Sequence, residues 1–121
     1  MGYKDFTEMS VWQKANRLLL QVYTITKDFP NEEKFGIVSD MRRAANSVTN
    51  NIAEGFGRYE KRDKTRFYKI SRGSCYELIN QTISSFGLSF IKIREKEKII
   101  SGYREVIKEL DPMIKTIESI V

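Results

Sequence analysis

The chain has 121 residues, of which 40% are hydrophobic and 31% are charged, and its formal net charge is +5. This composition is typical of one folded domain over residues 1–121 with a highly charged surface, and it excludes a disordered chain. The single cysteine, Cys75, excludes an internal disulfide, and no stretch approaches the ~20 apolar residues that cross a bilayer. The first ten residues lack the apolar core of a signal peptide, so we expect a cytoplasmic protein with no membrane partner.

Apolar residues at intervals of three and four predict four helices, beginning with two that a proline separates. The first helix starts at Thr7 or Ser10 and runs to Asp28, and Pro30 ends it because the residue before a proline avoids the helical conformation. The second helix starts near Asn31 and carries its own apolar stripe. It ends at two glycines that are typical C-terminal caps, Gly55 and Gly57.

The third predicted helix begins between Glu60 and Asp63 and ends at Gly87. Ser71, Gly73 and Ser74 place small side chains in its middle, where glycine costs ~1 kcal/mol relative to alanine. We expect a neighbouring helix to approach the backbone closely there. Residues 88–94 alternate like a short strand but have no second strand to pair with, so we predict a loop with apolar anchors.

The fourth predicted helix runs from Arg94 to Ile120, and its apolar residues keep one phase up to Val121. Pro112 lies inside it and removes one backbone donor. Asp111 could cap a new helix there, but the unbroken apolar phase favours a kink over a break. Helices of similar length joined by short connections predict an all-α protein, an antiparallel up-down-up-down four-helix bundle.

The residues that most enzymes use are scarce. There is no histidine, which excludes the commonest general base and the Ser–His and Cys–His nucleophile systems. Cys75 lies in mid-helix on a partly apolar face, which favours a buried core residue over a nucleophile. The paired carboxylates of Glu32 and Glu33 suit a helix start better than acid–base chemistry. We therefore predict no catalytic activity, no metal ligands and no cofactor, with a metal held by carboxylates alone as the alternative.

The net charge is concentrated in residues 58–72, which hold seven basic and two acidic side chains and so account for the whole +5. Cations at a helix N-terminus oppose the helix dipole, so an external anion explains this segment better than helix stability does. The interleaved Tyr59, Phe67 and Tyr68 suit stacked bases beside phosphates. The alternatives are a plain solvated helix start, an acidic protein surface and a membrane surface. The candidate nucleic-acid-binding residues are Arg42, Arg43, Arg58, Lys61, Arg62, Lys64, Arg66, Lys69 and Arg72. For Arg42 and Arg43 the alternative is a pair with Glu54 or Glu77 inside the structure.

A second polar set spans the predicted second and third helices. Its members are Asn51, Glu54, Arg72 and Glu77, with Arg43 beside them. Polar groups of this kind between helices are usually hydrogen-bonded to one another, so we interpret them as a structural network rather than as a ligand site.

Several stretches resemble one bacterial family of four-helix bundles. They are Val11–Ala15, Phe29–Pro30, Arg42–Val48, Asn51–Gly55 with Arg58, and Arg72–Ser74 with Glu77–Leu78. Members of this family are often encoded in intervening sequences of 23S ribosomal RNA genes, and some carry a ribosomal-protein label. The family is also similar in fold to the accessory proteins of diversity-generating retroelements, which bind nucleic acid and a reverse transcriptase. The resemblance implies a homopentameric ring with a central channel, and it supplies no catalytic residues.

The sequence therefore predicts a non-catalytic, oligomeric bundle that binds nucleic acid, with RNA favoured over DNA. In this hypothesis residues 58–72 bind phosphates with little base specificity. The alternative is a protein–protein scaffold whose basic segment receives an acidic protein partner.

Overall fold

The computed structural model describes residues 2–120, and in that range it contains four long helices and no strand. The helices are α1 (Ser10–Thr26), α2 (Ile37–Gly57), α3 (Lys61–Gly87) and α4 (Ile93–Ser119). Each helix packs against two neighbours in the cyclic order α1–α2–α3–α4, and each connection reverses the chain. The predicted antiparallel four-helix bundle is therefore confirmed. None of the helices in this range has a stretch apolar enough to cross a lipid bilayer.

The predicted apolar stripes form one core along the bundle axis. Val22, Ile52, Leu78 and Tyr103, one from each helix, are fully buried. The phase of α4 continues through Ile107, Leu110 and Ile114, all buried, whereas Val121, the last residue of the predicted phase, lies outside the described residues. Burial of these large side chains is the main source of the bundle's stability.

The predicted start of the second helix at Asn31 is wrong by six residues, since α2 begins at Ile37. Asn31–Glu33 instead form a single 3-10 turn, closed by a 2.9 Å hydrogen bond from the Glu33 N–H to the Pro30 carbonyl. Gly36 then adopts φ −106° and ψ −116°, which is outside the helical region and separates this turn from α2.

Gly55 and Gly57 do not cap α2 in the way that the sequence suggests, because no glycine among the described residues has a positive φ. Gly55 is a buried helical residue at a close contact between helices. A Cβ atom at this position would lie 2.6 Å from Cε1 of Tyr68 on α3. Glycine is required here by packing against an aromatic ring and not by backbone conformation.

Of the three small residues at which close approach is predicted, Ser71, Gly73 and Ser74, the glycine does not contact another helix. It faces solvent, and a Cβ atom there would meet nothing within 4 Å. The neighbouring serines make the contact with α2 instead. The Ser71 hydroxyl donates to the Val48 carbonyl at 2.9 Å, and the Ser74 hydroxyl donates to the Ser47 hydroxyl at 2.7 Å.

The connection between α3 and α4 is a loop with apolar anchors, as predicted. Phe90 packs against Phe29 with a centroid distance of 5.2 Å, and Ile91 is buried. Ser89 is the one non-glycine residue with a positive φ, 65°, among the described residues. Further along, α4 continues through Pro112 without a break, as the unbroken apolar phase predicts.

Candidate nucleic-acid interface

The turn between α2 and α3 presents the start of the basic segment at one end of the bundle. Arg58 leaves α2 in an extended conformation, and the following Tyr59 is 97% exposed. Glu60 is the N-cap of α3 but makes no side-chain hydrogen bond to its first turn. Lys61 and Arg62 follow in that first turn, and both are exposed. Within the described part of the chain, neither side chain forms an ion pair with a carboxylate.

Two further arginines of the segment cover an aromatic ring. The guanidinium carbons of Arg58 and Arg66 lie 4.7 and 4.4 Å from the ring centroid of Phe67, which is half-buried. Arg58 also pairs with Glu54 at 2.9 Å, and Arg66 lies 3.9 Å from Asp63. These pairs are exposed and weak, so both cations remain accessible to a further anion.

The aromatic residues predicted to stack on bases are mostly occupied by the protein itself. Tyr68 is only 3% exposed, since its ring packs on Gly55, and Phe67 is covered by the two guanidinium groups. Tyr59 alone of the three is free to stack on a ligand. Periodicity could have shown this for Tyr68, which shares a face with Ser71 and Cys75, both buried.

Lys64 has a structural role that the sequence did not show. Its Nζ donates hydrogen bonds to the carbonyls of Gly55 and Phe56, at 3.2 and 2.8 Å, and so caps the C-terminus of α2. A cation at this position also complements the negative end of the α2 dipole. Partial burial lowers the pKa of Lys64. This ammonium group is therefore already engaged by two carbonyl oxygens.

The last two cations of the segment are neutralised by α4. Arg72 Nε donates to Asp111 Oδ1 at 2.6 Å, and this hydrogen bond raises the pKa of Arg72. The Lys69 ammonium group pairs with the Glu118 carboxylate close to the end of α4. The cations Lys69 and Arg72 thus join α3 to α4 and are less available to an external phosphate.

Arg42 and Arg43 lie in the first half of α2, away from the turn, and do not extend the basic segment. Arg42 donates to the Thr26 hydroxyl at 2.9 Å and to the Tyr23 carbonyl at 3.3 Å, and so ties α2 to the C-terminal end of α1. Arg43 pairs with Glu77 on α3 at 2.7 Å, and this hydrogen bond raises the pKa of Arg43.

The residues predicted as one polar network belong to separate contacts. Glu77 pairs with Arg43, whereas Glu54 pairs with Arg58 and Arg72 with Asp111. Asn51 donates within α2, to the carbonyl and the hydroxyl of Ser47, at 2.8 and 3.1 Å. That Ser47 hydroxyl is also the acceptor for Ser74, so the bond between α2 and α3 at this level is made by two serines.

The other reactive groups in the described range do not form a site. Cys75 is 0% exposed, and burial raises the pKa of its thiol to about 12, so the nucleophilic thiolate is disfavoured. No three Cys, Asp or Glu side chains between residues 2 and 120 are grouped closely enough to hold a metal ion. The best candidate site is therefore the exposed edge at the start of α3, formed by Tyr59, Lys61 and Arg62, with Arg58 and Arg66 beside it.

Comparisons with known proteins place the fold among bacterial bundles. The structure is similar to the crystal structure of a protein of unknown function from the S23 ribosomal protein family of Bacteroides thetaiotaomicron VPI-5482. The TM-score is 0.80 at 22% identity over 87% of this chain and 95% of that chain, which shows a shared fold. No curated protein matches the chain. The sequence model of the family described as 23S rRNA-intervening sequence protein matches residues 7–112. Since this match covers most of the 121 residues, the chain belongs to the family of 23S rRNA-intervening sequence proteins.

Proposed function

We propose that this protein is a non-catalytic, oligomeric bundle that binds nucleic acid, and RNA in particular, through its phosphates. The observation that carries the proposal is the free cationic edge at the start of α3. Lys61 and Arg62 are exposed and have no carboxylate partner within residues 2–120, and Tyr59 beside them is almost fully exposed. Cations that no internal acid neutralises, next to an open aromatic ring, suit phosphates and a stacked base.

The non-catalytic part of the proposal rests on the residues that could react. The chain has no histidine, and its one thiol is buried with a raised pKa. The family description names 23S rRNA, which makes a fragment of that RNA the first ligand to test.

The oligomeric part is supported by exposed apolar residues on α3. Tyr76 and Ile83, seven residues apart, are exposed on one face of this helix, and Ile70 is exposed on another side of it. Large apolar side chains left exposed in this way are found at subunit interfaces. In the homopentameric ring that the family resemblance implies, each subunit would add its own cationic edge, so weak phosphate contacts would be multiplied.

The direct test is charge reversal at the cationic edge. We expect Lys61→Glu with Arg62→Glu to weaken RNA binding at least about tenfold in fluorescence anisotropy, because both cations face solvent and contribute to phosphate attraction. Lys64 is left unchanged, since its reversal would also remove the cap of α2. The matched control is Lys27→Glu with Lys34→Glu, which alters two exposed lysines beside the α1–α2 connection.

Equal loss of affinity in both variants would show that only the net charge matters. If the unaltered protein fails to bind RNA or duplex DNA even at low salt, the nucleic-acid proposal is wrong. A single protein partner that survives nuclease treatment in a pull-down would then favour a scaffold for an acidic partner.

The oligomeric part has its own test. We expect equilibrium sedimentation to report a pentamer, and we expect Ile83→Glu to shift it toward monomer because a charge in an apolar interface is costly. A protein that sediments as a monomer at every concentration would contradict the proposed pentamer and leave the proposed nucleic-acid binding unaffected.

A further inference from the structure

Helix α4 has no net charge in the sequence, yet the fold separates its charges. It carries six basic and six acidic side chains between Ile93 and Ser119. A count along the chain therefore gives no reason to single it out. In the structure, however, most of the acidic side chains contact other groups of the protein, whereas most of the basic side chains face solvent.

Five of the six carboxylates of α4 bond to other groups of the protein. They are Glu95, Glu105, Glu109, Asp111 and Glu118. Glu95 accepts the backbone N–H of Lys92 at 2.9 Å and so caps the start of α4. The remaining four pair with cations on α1 and α3, at both flanks of the helix.

The flank toward α1 is held by one lysine. Lys14 Nζ lies 2.6 Å from Glu109 and 3.9 Å from Glu105, and the hydrogen bond that Lys14 donates to Glu109 raises the pKa of Lys14. The flank toward α3 is held by Asp111 and Glu118, which neutralise the two cations described above. Most of the negative charge of α4 is thus used to bind its neighbours.

The basic side chains of α4 have no such partners. None of the six forms an ion pair with a carboxylate in the described part of the chain. Lys96 lies over the Phe86 ring at 4.6 Å and is half-buried. The other five are exposed, and we call them the α4 basic face. They are Arg94, Lys98, Arg104, Lys108 and Lys115.

The α4 basic face has the shape of a stripe. With 3.6 residues per turn, its five positions fall within about 120° of the helix circumference, and with ~1.5 Å per residue they extend over about 30 Å. Two carboxylates are exposed on the same side, Glu97 and the Glu105 that Lys14 partly neutralises. Arg17 of α1 lines the same groove as Lys98 and adds a cation at the edge of the stripe.

We infer that the α4 basic face is a binding surface for the phosphate backbone of a nucleic-acid double helix. The inference rests on the proposed function and extends it, because it adds to the start of α3 a longer surface on another helix. A stripe of about 30 Å matches roughly nine base pairs at ~3.4 Å each. Lysine-rich contacts of this kind position a duplex without reading its sequence.

The composition of the stripe favours nucleic acid over an acidic protein. Protein interfaces have an apolar or aromatic centre from which lysine is depleted. Ile93 and Ile120 are the large exposed apolar residues at the two ends of α4, and within the described residues none lies on the helix between them. Leu20 of α1 is exposed at the edge of the stripe, where it lines a groove with Lys98. The centre of the surface is therefore charged and not apolar, and nucleic acid is a ligand that charge alone binds well.

The test uses the complete protein and a fluorescent mixed-sequence RNA duplex of about 20 base pairs, long enough to cover the stripe. The α4 variant combines Arg104→Gln, Lys108→Gln and Lys115→Gln, since glutamine removes the charge and keeps helix propensity. The matched control combines Lys4→Gln, Lys27→Gln and Lys34→Gln, three exposed lysines outside α4. Circular dichroism establishes that each variant is folded before anisotropy is recorded between about 50 and 200 mM salt.

We expect the α4 variant to lose at least about tenfold in affinity and its salt slope to fall by about three, one for each phosphate contact removed, while the control changes little. If the unaltered protein binds the duplex and the α4 variant matches the control, this inference is wrong and the proposed function stands. If the unaltered protein binds no nucleic acid at low salt, the proposed function fails and this inference with it. Displacement of the duplex by polyglutamate as effectively as by unlabelled RNA would overturn the inference in favour of an acidic protein.

Discussion

Arg72 on α3 and Asp111 on α4 are joined by a 2.6 Å hydrogen bond between Nε and Oδ1, and the bond removes one cation from the basic segment. Lys69 and Glu118 repeat the arrangement two turns further along α4. Negative charge from α4 is thereby used to neutralise α3, so the positive surface of the folded protein extends onto α4. In the sequence the positive net charge is concentrated in residues 58–72, whereas in the folded protein, within the described residues, the cations without carboxylate partners also lie along α4.

Removing these carboxylates tests the charge balance directly. We expect Asp111→Asn with Glu118→Gln to strengthen RNA binding and to steepen its salt dependence by about two, because Arg72 and Lys69 become free to contact phosphates. The free energy of unfolding should change by less than ~1 kcal/mol per pair, since both pairs are exposed to solvent. The control is Asp28→Asn with Glu32→Gln, two exposed carboxylates outside these pairs. An equal gain of affinity in the control would mean that net charge alone is responsible.

The fold could be predicted from the sequence because it depends on periodicity. Residues such as Val22 and Leu110 occupy the predicted face of a helix. This burial follows from the spacing of apolar residues and does not depend on which side chains contact one another. The site could be predicted only in part. Lys61 and Lys64 are equivalent in a charge count, but only the fold brings Lys64 to the open end of another helix. Contacts between distant segments decide which cations are free, and one sequence does not show those contacts.

Gly55 and Gly73, two glycines within helices, should respond in opposite ways to alanine. We expect Gly55→Ala to lower the free energy of unfolding by about 1–3 kcal/mol, because the new Cβ would overlap the buried ring of Tyr68. Gly73→Ala should raise it by about 0.5–1 kcal/mol, because the position is helical, exposed and unobstructed. Urea unfolding monitored by circular dichroism measures both. A stabilising Gly55→Ala would contradict the close approach of α2 and α3.

Pro112 should be a destabilising residue in its present position. It is exposed within a continuous helix, so its ring removes the hydrogen bond to the Lys108 carbonyl with no visible packing gain. We expect Pro112→Ala to raise the free energy of unfolding by up to about 3 kcal/mol, measured in the same urea experiment. Ser101→Ala, at an exposed position on the same helix, is the control for helix propensity alone. An unchanged or lower free energy of unfolding in Pro112→Ala would contradict a destabilising role of the proline.

The capping role of Lys64 can be tested by comparing its removal with the removal of an equal charge that caps nothing. We expect Lys64→Met to lower the free energy of unfolding by about 1–2 kcal/mol, because the Phe56 carbonyl loses the Lys64 donor and the Gly55 carbonyl keeps only the long 3.4 Å bond from the Arg58 N–H. Methionine keeps much of the aliphatic stem, so the packing of the side chain is largely preserved. Lys61→Met, three residues earlier on the exposed edge, should have almost no effect on stability. Equal effects at the two positions would remove the capping role.

The buried thiol of Cys75 should make the protein less stable in alkali. Burial raises its pKa from the usual 9.0 to about 12, so the folded chain keeps a proton that the unfolded chain loses near pH 9. Stability is then fully present below pH 9 and declines as the pH rises above it, by at most ~1.4 kcal/mol per pH unit for one proton. Burial also raises the pKa of Tyr103, which adds to the decline at higher pH.

The slope is measured by urea unfolding at several pH values between about 8 and 10, a range that brackets the usual pKa of a free thiol. Cys75→Ala should flatten the slope in that window, whatever it does to the stability at neutral pH, because it removes the proton that the buried thiol keeps and the unfolded thiol loses. In the same range, a thiol reagent should leave the folded protein unmodified and react promptly once urea unfolds it, since the side chain has no exposed surface. Rapid labelling of the folded protein, or an unchanged slope in the alanine variant, would contradict the burial of this residue.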